Sequence, residues 1–258
     1  MSAALVTGAA HRLGRAMALY LAGRGFDVAL HYASSAEAAD AVAGEVAGLG
    51  RRAVALRADF MDEGATATLV ARAADALGPL TVLVNNASTF ENDSLADATR
   101  ESWDRHMETN LRAPFVLMQG LAAQCPPATR DAAGEWLAQG LIVNMIDQRV
   151  WKPTPAFASY TISKFGLWAL TRTAAQALAP HVRVNGIGPG PTLRAARQSA
   201  AHFRRQRDST ILGRGANESD ITAALGFLLD SPAVTGQMIA VDGGQHLAWK
   251  TPDILGPG

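Results

Sequence analysis

Short apolar stretches alternate along the chain with segments of helical periodicity, and this alternation limits the possible folds more than any other feature. The apolar stretches lie at 3–7, 26–31, 52–56, 80–84, 141–146, 182–186 and 238–241. Nearly every stretch is apolar at consecutive positions, which is typical of strands that are covered on both faces. Strands that alternate with helices form a parallel sheet between two helical layers. The pattern therefore predicts an α/β fold, a doubly wound parallel sheet of about seven strands.

The segments between these strands predict the helices and the domain organisation. Helical periodicity covers 12–22, 36–49, 63–77, 103–123, 160–178 and 220–229, and Pro114 implies a bend or break in the fourth of these segments. Residues 124–139 predict a surface insertion with a short helix, and the polar, basic residues 195–207 predict a further helix. No other polar stretch resembles a linker, so residues 1–258 are expected to form a single domain.

Composition excludes several classes of protein. The 23 basic and 23 acidic residues give a net charge of +0, which disfavours a partner with a phosphate backbone. The single cysteine, Cys125, cannot form an internal disulfide. No apolar run reaches the length of about 20 residues that a membrane helix needs, and a strand begins at the N-terminus in place of a signal peptide. The six scattered histidines predict no metal site. A soluble cytoplasmic protein is expected.

A glycine-containing turn joins the first strand to the first helix. Gly8 permits a tight turn, and Gly14 permits close packing of the helix. The free N–H groups at such a helix start bind phosphate. Arg12 in the first turn opposes the helix dipole, which favours an anionic partner such as a pyrophosphate. The alternative is an ordinary turn with a surface arginine.

The end of the second strand bears on the choice of nicotinamide cofactor. A protein that binds NAD usually carries an acid there for the ribose hydroxyls, but none occurs before Glu37, inside the next helix. His31, Ser34 and Ser35 could hydrogen-bond a 2′-phosphate. The sequence therefore predicts NADPH. The alternative for the two serines is that they only cap the helix.

Three side chains near the fifth apolar stretch indicate proton chemistry. Tyr160 and Lys164 are four residues apart, which places a phenol and an ammonium on one helical face. The ammonium is expected to lower the tyrosine pKa from about 10. Asp147 follows a strand end, where open α/β sheets place their chemistry. A carboxyl group that burial keeps protonated could donate a proton or polarise Tyr160. The alternatives are a solvated helix face and an aspartate that only orders the loop at Arg149.

Motifs along almost the whole chain resemble the short-chain dehydrogenase/reductase family. They are, in order, TGAAHRLG, NNAS, Asn110, YTISK, GPG and VDGG. The resemblance implies a Rossmann-type sheet, a nicotinamide cofactor and a homotetramer. It also implies that Asn110 is catalytic, bending its helix and holding a water for proton relay, whereas a plain helix asparagine is the alternative.

Two departures from the family pattern resemble the pteridine reductases, including the bacterial dihydromonapterin and dihydrofolate reductases of this fold. Asp147 stands where most members have serine, and Arg12 stands where most have glycine. The resemblance implies that Phe90 stacks on a pterin, although a phenylalanine folded onto the core is the alternative. By this resemblance the cofactor is lined by Arg12, Leu13, His31, Tyr32, Ser34, Ser35, Asp59, Phe60, Asn86, Ala87, Ser88, Met145, Lys164, Pro189, Gly190 and Thr192.

The leading hypothesis is an NADPH-dependent reductase of a dihydropterin, dihydromonapterin or dihydrofolate. Arg12, Ser88, Phe90, Asp147 and Tyr160 would contact the substrate, and residues 191–210 would cover it. One rival is a short-chain dehydrogenase that acts on a ketone or alcohol, and another is a non-catalytic NADP(H)-binding sensor. The apolar side chains of the C-terminal tail, which are Trp249, Ile254 and Leu255, are expected to pack on a neighbouring subunit.

Overall fold

Seven strands form one parallel sheet in the computed structural model, which describes residues 2–194 and 198–249. The nine strands of the described chain are β1 (Ala3–Val6), β2 (Asp27–Tyr32), β3 (Ala53–Arg57), β4 (Leu80–Asn85), β5 (Thr129–Arg130), β6 (Trp136–Leu137), β7 (Gly140–Met145), β8 (Val182–Pro189) and β9 (Met238–Val241). The sheet has the order β3-β2-β1-β4-β7-β8-β9, and every pairing in it is parallel. The predicted doubly wound α/β fold is confirmed.

Helices cover both faces of this sheet. The α-helices of the described chain are α1 (Arg12–Gly23), α2 (Ala36–Gly48), α3 (Glu63–Leu77), α4 (Arg100–Met107), α5 (Ala113–Gln124), α6 (Ala158–Leu178), α7 (Ala200–Asp208) and α8 (Glu218–Asp230). Successive side chains of a strand point to opposite faces. In β1, Val6 belongs to the same buried cluster as Met17 of α1, whereas Leu5 belongs to a second cluster that includes Leu117 of α5. This double burial explains why the strands are continuously apolar.

The strand order reverses beside β1. The chain runs from β1 outward to β2 and β3, and then crosses back so that β4 pairs with the other edge of β1. The loops that leave the carboxyl ends of β1 and β4 therefore diverge, and they open a crevice between them. All seven strands are parallel, so the segments after β1, β4, β7 and β8 meet at this end of the sheet.

The predicted helix over 103–123 is two α-helices joined by a π-helical turn, Glu108–Arg112. The N–H of Ala113 donates to the carbonyl of Glu108, five residues earlier. Pro114 lies in the first turn of α5 and has no N–H to donate, which is the break that its presence predicts. The π-helical turn brings Asn110 into the interior, where it is fully buried.

Two segments differ from the predicted secondary structure. The insertion at 124–139 contains an antiparallel hairpin of β5 and β6, so the predicted short helix is wrong. Its turn is stabilised by Asp131, whose side chain accepts hydrogen bonds from the backbone of Ala133 and Glu135. The predicted helix at 195–207 corresponds to α7, which begins at Ala200. Residues 195–197 of the predicted helix lie outside the described residues, as do Ile254 and Leu255 of the tail.

Candidate active site

A cleft of about 830 Å³ opens at the carboxyl ends of the strands, where the strand order reverses. The predicted site residues that line it are Gly8, Arg12, Leu13, Gly14, His31, Asp59, Phe60, Asn86, Ala87, Ser88, Phe90, Met145, Asp147, Tyr160, Lys164, Pro189 and Gly190. The glycine turn thus shares one cleft with the proposed proton donors. Thr192 lines an adjoining cavity of about 520 Å³.

The glycine turn leaves no room for side chains. Gly8 has φ +62°, and a Cβ there would lie 3.0 Å from the Cα of Ala87. A Cβ on Gly14 would lie 2.0 Å from the carbonyl oxygen of Gly8. The N-cap residue of α1, His11, makes no side-chain capping bond, and the first turn contains no acid. The backbone N–H groups at the start of α1 are therefore suited to a phosphate, and the alternative of an ordinary turn is less consistent with this geometry.

The segment after β4 is held against the glycine turn by hydrogen bonds. The hydroxyl of Thr7 accepts from the backbone N–H groups of Asn86 and Ala87, each at 2.9 Å. The Asn86 side chain donates to the Thr7 carbonyl at 2.8 Å. Because these bonds join the ends of β1 and β4, they fix the width of the cleft at the cofactor side.

His31 has a different role from the one predicted. Its Nδ1 accepts the backbone N–H of Gly8 at 3.1 Å, and its Nε2 lies 3.1 Å from the carbonyl of Ala58. Burial lowers the pKa of the ring to about 4, so the ring is neutral at physiological pH. Its face stacks on Phe60 at 4.3 Å. Both ring nitrogens are committed to the backbone, so the expectation that His31 hydrogen-bonds a 2′-phosphate is wrong, and His31 braces the glycine turn instead.

Three further residues predicted at the cofactor lie at or beyond the end of β2, outside the lining of the cleft. Tyr32 is the last residue of β2, Ser34 is exposed, and Ser35 precedes α2. Although Ser35 occupies the N-cap position, its side chain makes no capping hydrogen bond. Ser35 therefore lacks the hydrogen bond that a capping role requires.

Arg12 bridges the glycine turn and the segment after β8. Its backbone is left-handed, with φ +53°, which is uncommon for a residue other than glycine. The guanidinium donates to the carbonyl oxygens of Leu193 and Arg194, both at 3.0 Å. Arg12 lines both the cleft and the adjoining cavity. The side chain therefore lies between the two spaces and is positioned to face an anion or a flat ring at their junction.

The three proposed proton-handling residues meet at the other end of the cleft. Tyr160 donates its hydroxyl to Oδ2 of Asp147 at 2.8 Å. The other carboxyl oxygen of Asp147 accepts the backbone N–H of Arg149 at 2.8 Å. Lys164 is buried and donates to the carbonyl of Met145 at 2.8 Å. Asp147 therefore orders the loop at Arg149, as the structural alternative proposes, and it also contacts the phenol.

The pKa directions follow mainly from burial. Desolvation raises the pKa of Asp147, which favours its protonated form. Burial also raises the pKa of Tyr160 well above its ordinary value, and the neighbouring Asp147 raises it further. The pKa of Tyr160 is therefore raised and not lowered as predicted, because desolvation and the carboxyl group outweigh the lowering effect of Arg149. Burial lowers the pKa of Lys164 to about 8.

The stacked rings of Phe90 and Phe157 form an aromatic wall beside these groups. Phe90 stacks on Phe157 with ring centroids 4.5 Å apart, and its ring meets the edge of Tyr160 at 4.6 Å. The guanidinium carbon of Arg149 lies 5.0 Å from the centre of the Phe157 ring. Phe90 is 39% exposed, so the alternative in which it folds onto the core does not describe it.

Asn110 is bonded to the loop that precedes Phe90. Its oxygen accepts the N–H of Thr89 at 2.8 Å, and its amide donates to the Thr89 carbonyl at 2.9 Å and to the Ser163 hydroxyl at 3.0 Å. Both amide hydrogens and the oxygen are thus engaged. Asn110 does not line the cleft and acts through Thr89 in this structure, while its role in a water relay stays a prediction.

Sequence reasoning missed Phe157 and Arg149 as parts of the site. Phe157 has a left-handed backbone, with φ +61°, directly before α6, and this conformation turns the chain into the helix. No feature of the sequence predicts a left-handed backbone at a phenylalanine. For Arg149, the signal was its position two residues after Asp147.

Neither a metal site nor a membrane helix is found in the described residues. Within residues 2–194 and 198–249, no group of three or more His, Cys, Asp or Glu side chains could hold a metal ion. Over the same ranges, every helix is too short or too polar to cross a membrane.

Comparison with known proteins shows the family to which the chain belongs. Residues 8–246 match the family described as enoyl-(acyl carrier protein) reductase. A 3-oxoacyl-acyl-carrier-protein reductase, FabG of Staphylococcus aureus, is 31% identical, over 95% of this chain and 98% of its own. Similar solved structures include complexes with NADP. The FolM alternative dihydrofolate reductase 1 of Brucella suis has a TM-score of 0.90 at 43% identity, over 98% of both chains. A short-chain dehydrogenase of Burkholderia cenocepacia has a TM-score of 0.84 at 33% identity, over 95% and 97% of the two chains. The chain therefore belongs to the short-chain dehydrogenase/reductase family.

Proposed function

We propose that the protein is an NADPH-dependent reductase of a dihydropterin, a class that includes dihydromonapterin and dihydrofolate. The observation that carries the proposal is the hydrogen bond between Tyr160 and Asp147 beside the aromatic wall of Phe90. A carboxyl group at this site favours a substrate that needs a proton, and a flat wall favours a planar ring. The FolM structures from two Brucella species, which share 43% and 42% identity with this chain, support the same choice.

The cleft fits a dinucleotide cofactor. The start of α1 and the glycine turn would hold the pyrophosphate, because the turn stays compact only while Gly8 and Gly14 carry no side chain. Lys164 and the segment at Pro189 and Gly190 would hold the nicotinamide side. The absence of an acid before Glu37 favours the 2′-phosphate form. When bound, NADPH supplies the hydride.

The residues of the chain then control the proton. Reduction of a C=N bond places hydride on carbon and a proton on nitrogen. Asp147 and Tyr160 titrate as a pair because they share a hydrogen bond in a desolvated site. The raised pKa values of both groups keep a proton on the pair at neutral pH. The pair therefore supplies the proton to the substrate nitrogen, and solvent replaces it after turnover.

Lys164 and Phe90 position the reacting groups. The ammonium of Lys164 lies 5.7 Å from the centre of the Tyr160 ring and is fixed by the carbonyl of Met145. Phe90 offers its ring to a planar substrate, which contributes about 0.5–1.5 kcal/mol beyond burial. Arg12 also lines the spaces that Phe90 lines. A flat ring would thus lie between aromatic and cationic surfaces, next to the proton donor.

One observation favours a second candidate function. The FabG relative is named as a reductase of 3-oxoacyl groups, and it shares 31% identity with this chain over nearly its whole length. A protonated Asp147 could also donate to the oxygen of such a ketone. The pterin assignment is preferred because the FolM structures, at 43% and 42% identity, are more similar to this chain than the FabG relative is. A sensor without catalytic activity would not need the hydrogen-bonded arrangement of Tyr160, Asp147 and Lys164, which argues against that rival.

The experiment is a substrate panel with purified protein. NADPH oxidation is followed with dihydromonapterin, dihydrobiopterin, dihydrofolate and a 3-oxoacyl thioester. The proposal predicts turnover of at least one dihydropterin with a higher kcat/KM than the thioester. Turnover of the thioester alone would replace the proposal with the ketone reductase, and no turnover of any substrate would favour the sensor.

A homotetramer and a cytoplasmic location are further proposals. Phe115, Ile162 and Phe165 are 39–47% exposed on α5 and α6, where the resemblance places subunit contacts. Trp249 of the tail is also exposed, at 54%. Light scattering of the full chain tests the tetramer, and a monomeric mass would contradict it.

A further inference from the structure

Phe90 is held on both sides by two fully buried side chains that lie one helical turn apart. Asn110 bonds to the backbone of Thr89, and the Nε2 atom of His106 accepts the backbone N–H of Glu91 at 3.1 Å. His106 and Asn110 each have 0% exposure. The aromatic residue of the wall is therefore bracketed by α4 and the π-helical turn that follows it.

The hydrogen bond from Glu91 determines the tautomer of His106. A backbone N–H can only donate, so Nε2 must carry the lone pair. In the neutral ring the proton then lies on Nδ1, which faces the Ser159 hydroxyl at 2.7 Å. Burial lowers the pKa of His106, which favours this neutral form. Ser159 consequently accepts from His106 and has its own proton left to donate.

That proton goes to Asp93. The Ser159 hydroxyl donates to Oδ2 of Asp93 in a short hydrogen bond, and the Ser159 N–H donates to Oδ1 at 3.1 Å. The N–H of Ala158 donates to the Asp93 carbonyl at 3.2 Å. Asp93 is buried, yet its hydrogen bonds from Ser159 and Ser102 lower its pKa and keep it ionised. An ionised carboxylate thus binds the start of α6, where negative charge is favourable.

The resulting chain of hydrogen bonds joins the two walls of the site. It runs from the N–H of Glu91 through His106 to Ser159, which lies in the first turn of the helix that carries Tyr160. From Ser159 it continues to Asp93. The rings of His106 and Tyr160 also meet edge to face at 6.0 Å. Displacement of any member would change the distance between the aromatic wall and the phenol.

We propose that His106, Ser159 and Asp93 form a positioning unit that sets the spacing between Phe90 and Tyr160 for a flat substrate, which deepens and rests on the proposed function. The three residues act through Glu91 and α6 and do not line the cleft. The unit is thus a determinant of substrate affinity and turnover, but not of cofactor binding.

The test compares Ser159→Ala with Thr171→Val. Both remove a buried hydroxyl from α6, but Thr171 bonds to Asn144, remote from the aromatic wall. Ser159→Ala is expected to lower kcat/KM for the reduced substrate about tenfold, the effect of losing one hydrogen bond of about 1.4 kcal/mol, through both kcat and KM. The Kd for NADPH should stay within about twofold. Thr171→Val should lower Tm to a similar extent and leave both kinetic constants unchanged. Equal kinetics for the two variants would overturn the proposal.

A second measurement needs no substrate. Nitrogen NMR of the His106 ring is expected to show the proton on Nδ1 in the wild-type protein. A proton on Nε2 would overturn the positioning unit, whichever substrate the enzyme uses. Wild-type protein that reduces a ketone but no pterin would instead overturn the proposed function, and the Ser159→Ala comparison would then be made with that ketone.

Discussion

The hydroxyl of Tyr160 lies 2.8 Å from Oδ2 of Asp147 and donates to it. The two residues come from different elements, since Asp147 follows β7 and Tyr160 belongs to the first turn of α6. Their hydrogen bond closes the loop between those elements. It also places a carboxyl group beside the phenol, at a position where most members of the resembled family have a serine.

Removal of the phenol hydroxyl should abolish most of the chemistry. Tyr160→Phe keeps the ring packed against Phe90 and removes the hydrogen bond to Oδ2 of Asp147. We expect kcat to fall by about 10²–10⁴, the range for loss of a general acid. Single-turnover NADPH oxidation measures this fall, and fluorescence titration of NADPH should give an unchanged Kd. Full activity of the variant would show that the hydroxyl carries no proton.

The glycine turn offers a matched pair of substitutions. In Gly14→Ala, the new methyl group would lie 2.0 Å from the Gly8 carbonyl, so the turn must open and NADPH affinity should fall at least tenfold. In Gly44→Ala, the methyl group on α2 meets nothing within 4 Å. That control should bind NADPH normally and gain about 0.5–1 kcal/mol of stability. Equal NADPH affinities for the two variants would contradict a phosphate site at the turn.

Most of the fold followed from patterns that the sequence displays. Helix α3 and strand β9 have the predicted bounds, because runs of β-branched and apolar residues and a clear cap mark them. The hairpin at 124–139 was missed because its strands are only two residues long. Strands so short carry no periodicity, and the turn depends on contacts of Asp131.

The site was less predictable where burial decided the chemistry. The positions of Asp147, Tyr160 and Lys164 followed from strand and helix spacing. The raised pKa of Tyr160 did not, because desolvation depends on side chains that come from distant parts of the chain. The same reason explains His31, whose bonds to Gly8 and Ala58 arise only when three strands pair.

Truncation of the aromatic wall should weaken substrate binding selectively. Phe90→Ala removes the ring that stacks on Phe157 and faces the cleft. We expect the KM for the dihydropterin to rise about tenfold, which corresponds to the upper end of aromatic stacking, while the Kd for NADPH is unchanged. Phe227→Ala, an exposed phenylalanine on α8, serves as the control and should change neither. Equal KM values for the two variants would argue against stacking on Phe90.

Acid should destabilise the protein through His31. The pKa of this residue is about 4 in the folded chain and 6.5 ordinarily, so between these values the unfolded chain binds more protons. This contribution to the free energy of unfolding is present above pH 6.5 and is lost progressively as pH falls from 6.5 to about 4. Urea titrations should show a loss of about 2 kcal/mol between about pH 7 and about pH 5, and His31→Gln should lose correspondingly less. An identical loss in the variant would refute this assignment.

The most direct measurement is the kcat of Asp147→Ser with a dihydropterin and with a 3-oxoacyl thioester, alongside the Kd for NADPH. If the carboxyl group supplies the proton for C=N reduction, dihydropterin turnover should fall about a hundredfold or more while thioester reduction is retained or increased. NADPH affinity should stay unchanged. Undiminished dihydropterin turnover, or an equal fall with both substrates, would contradict the role of Asp147.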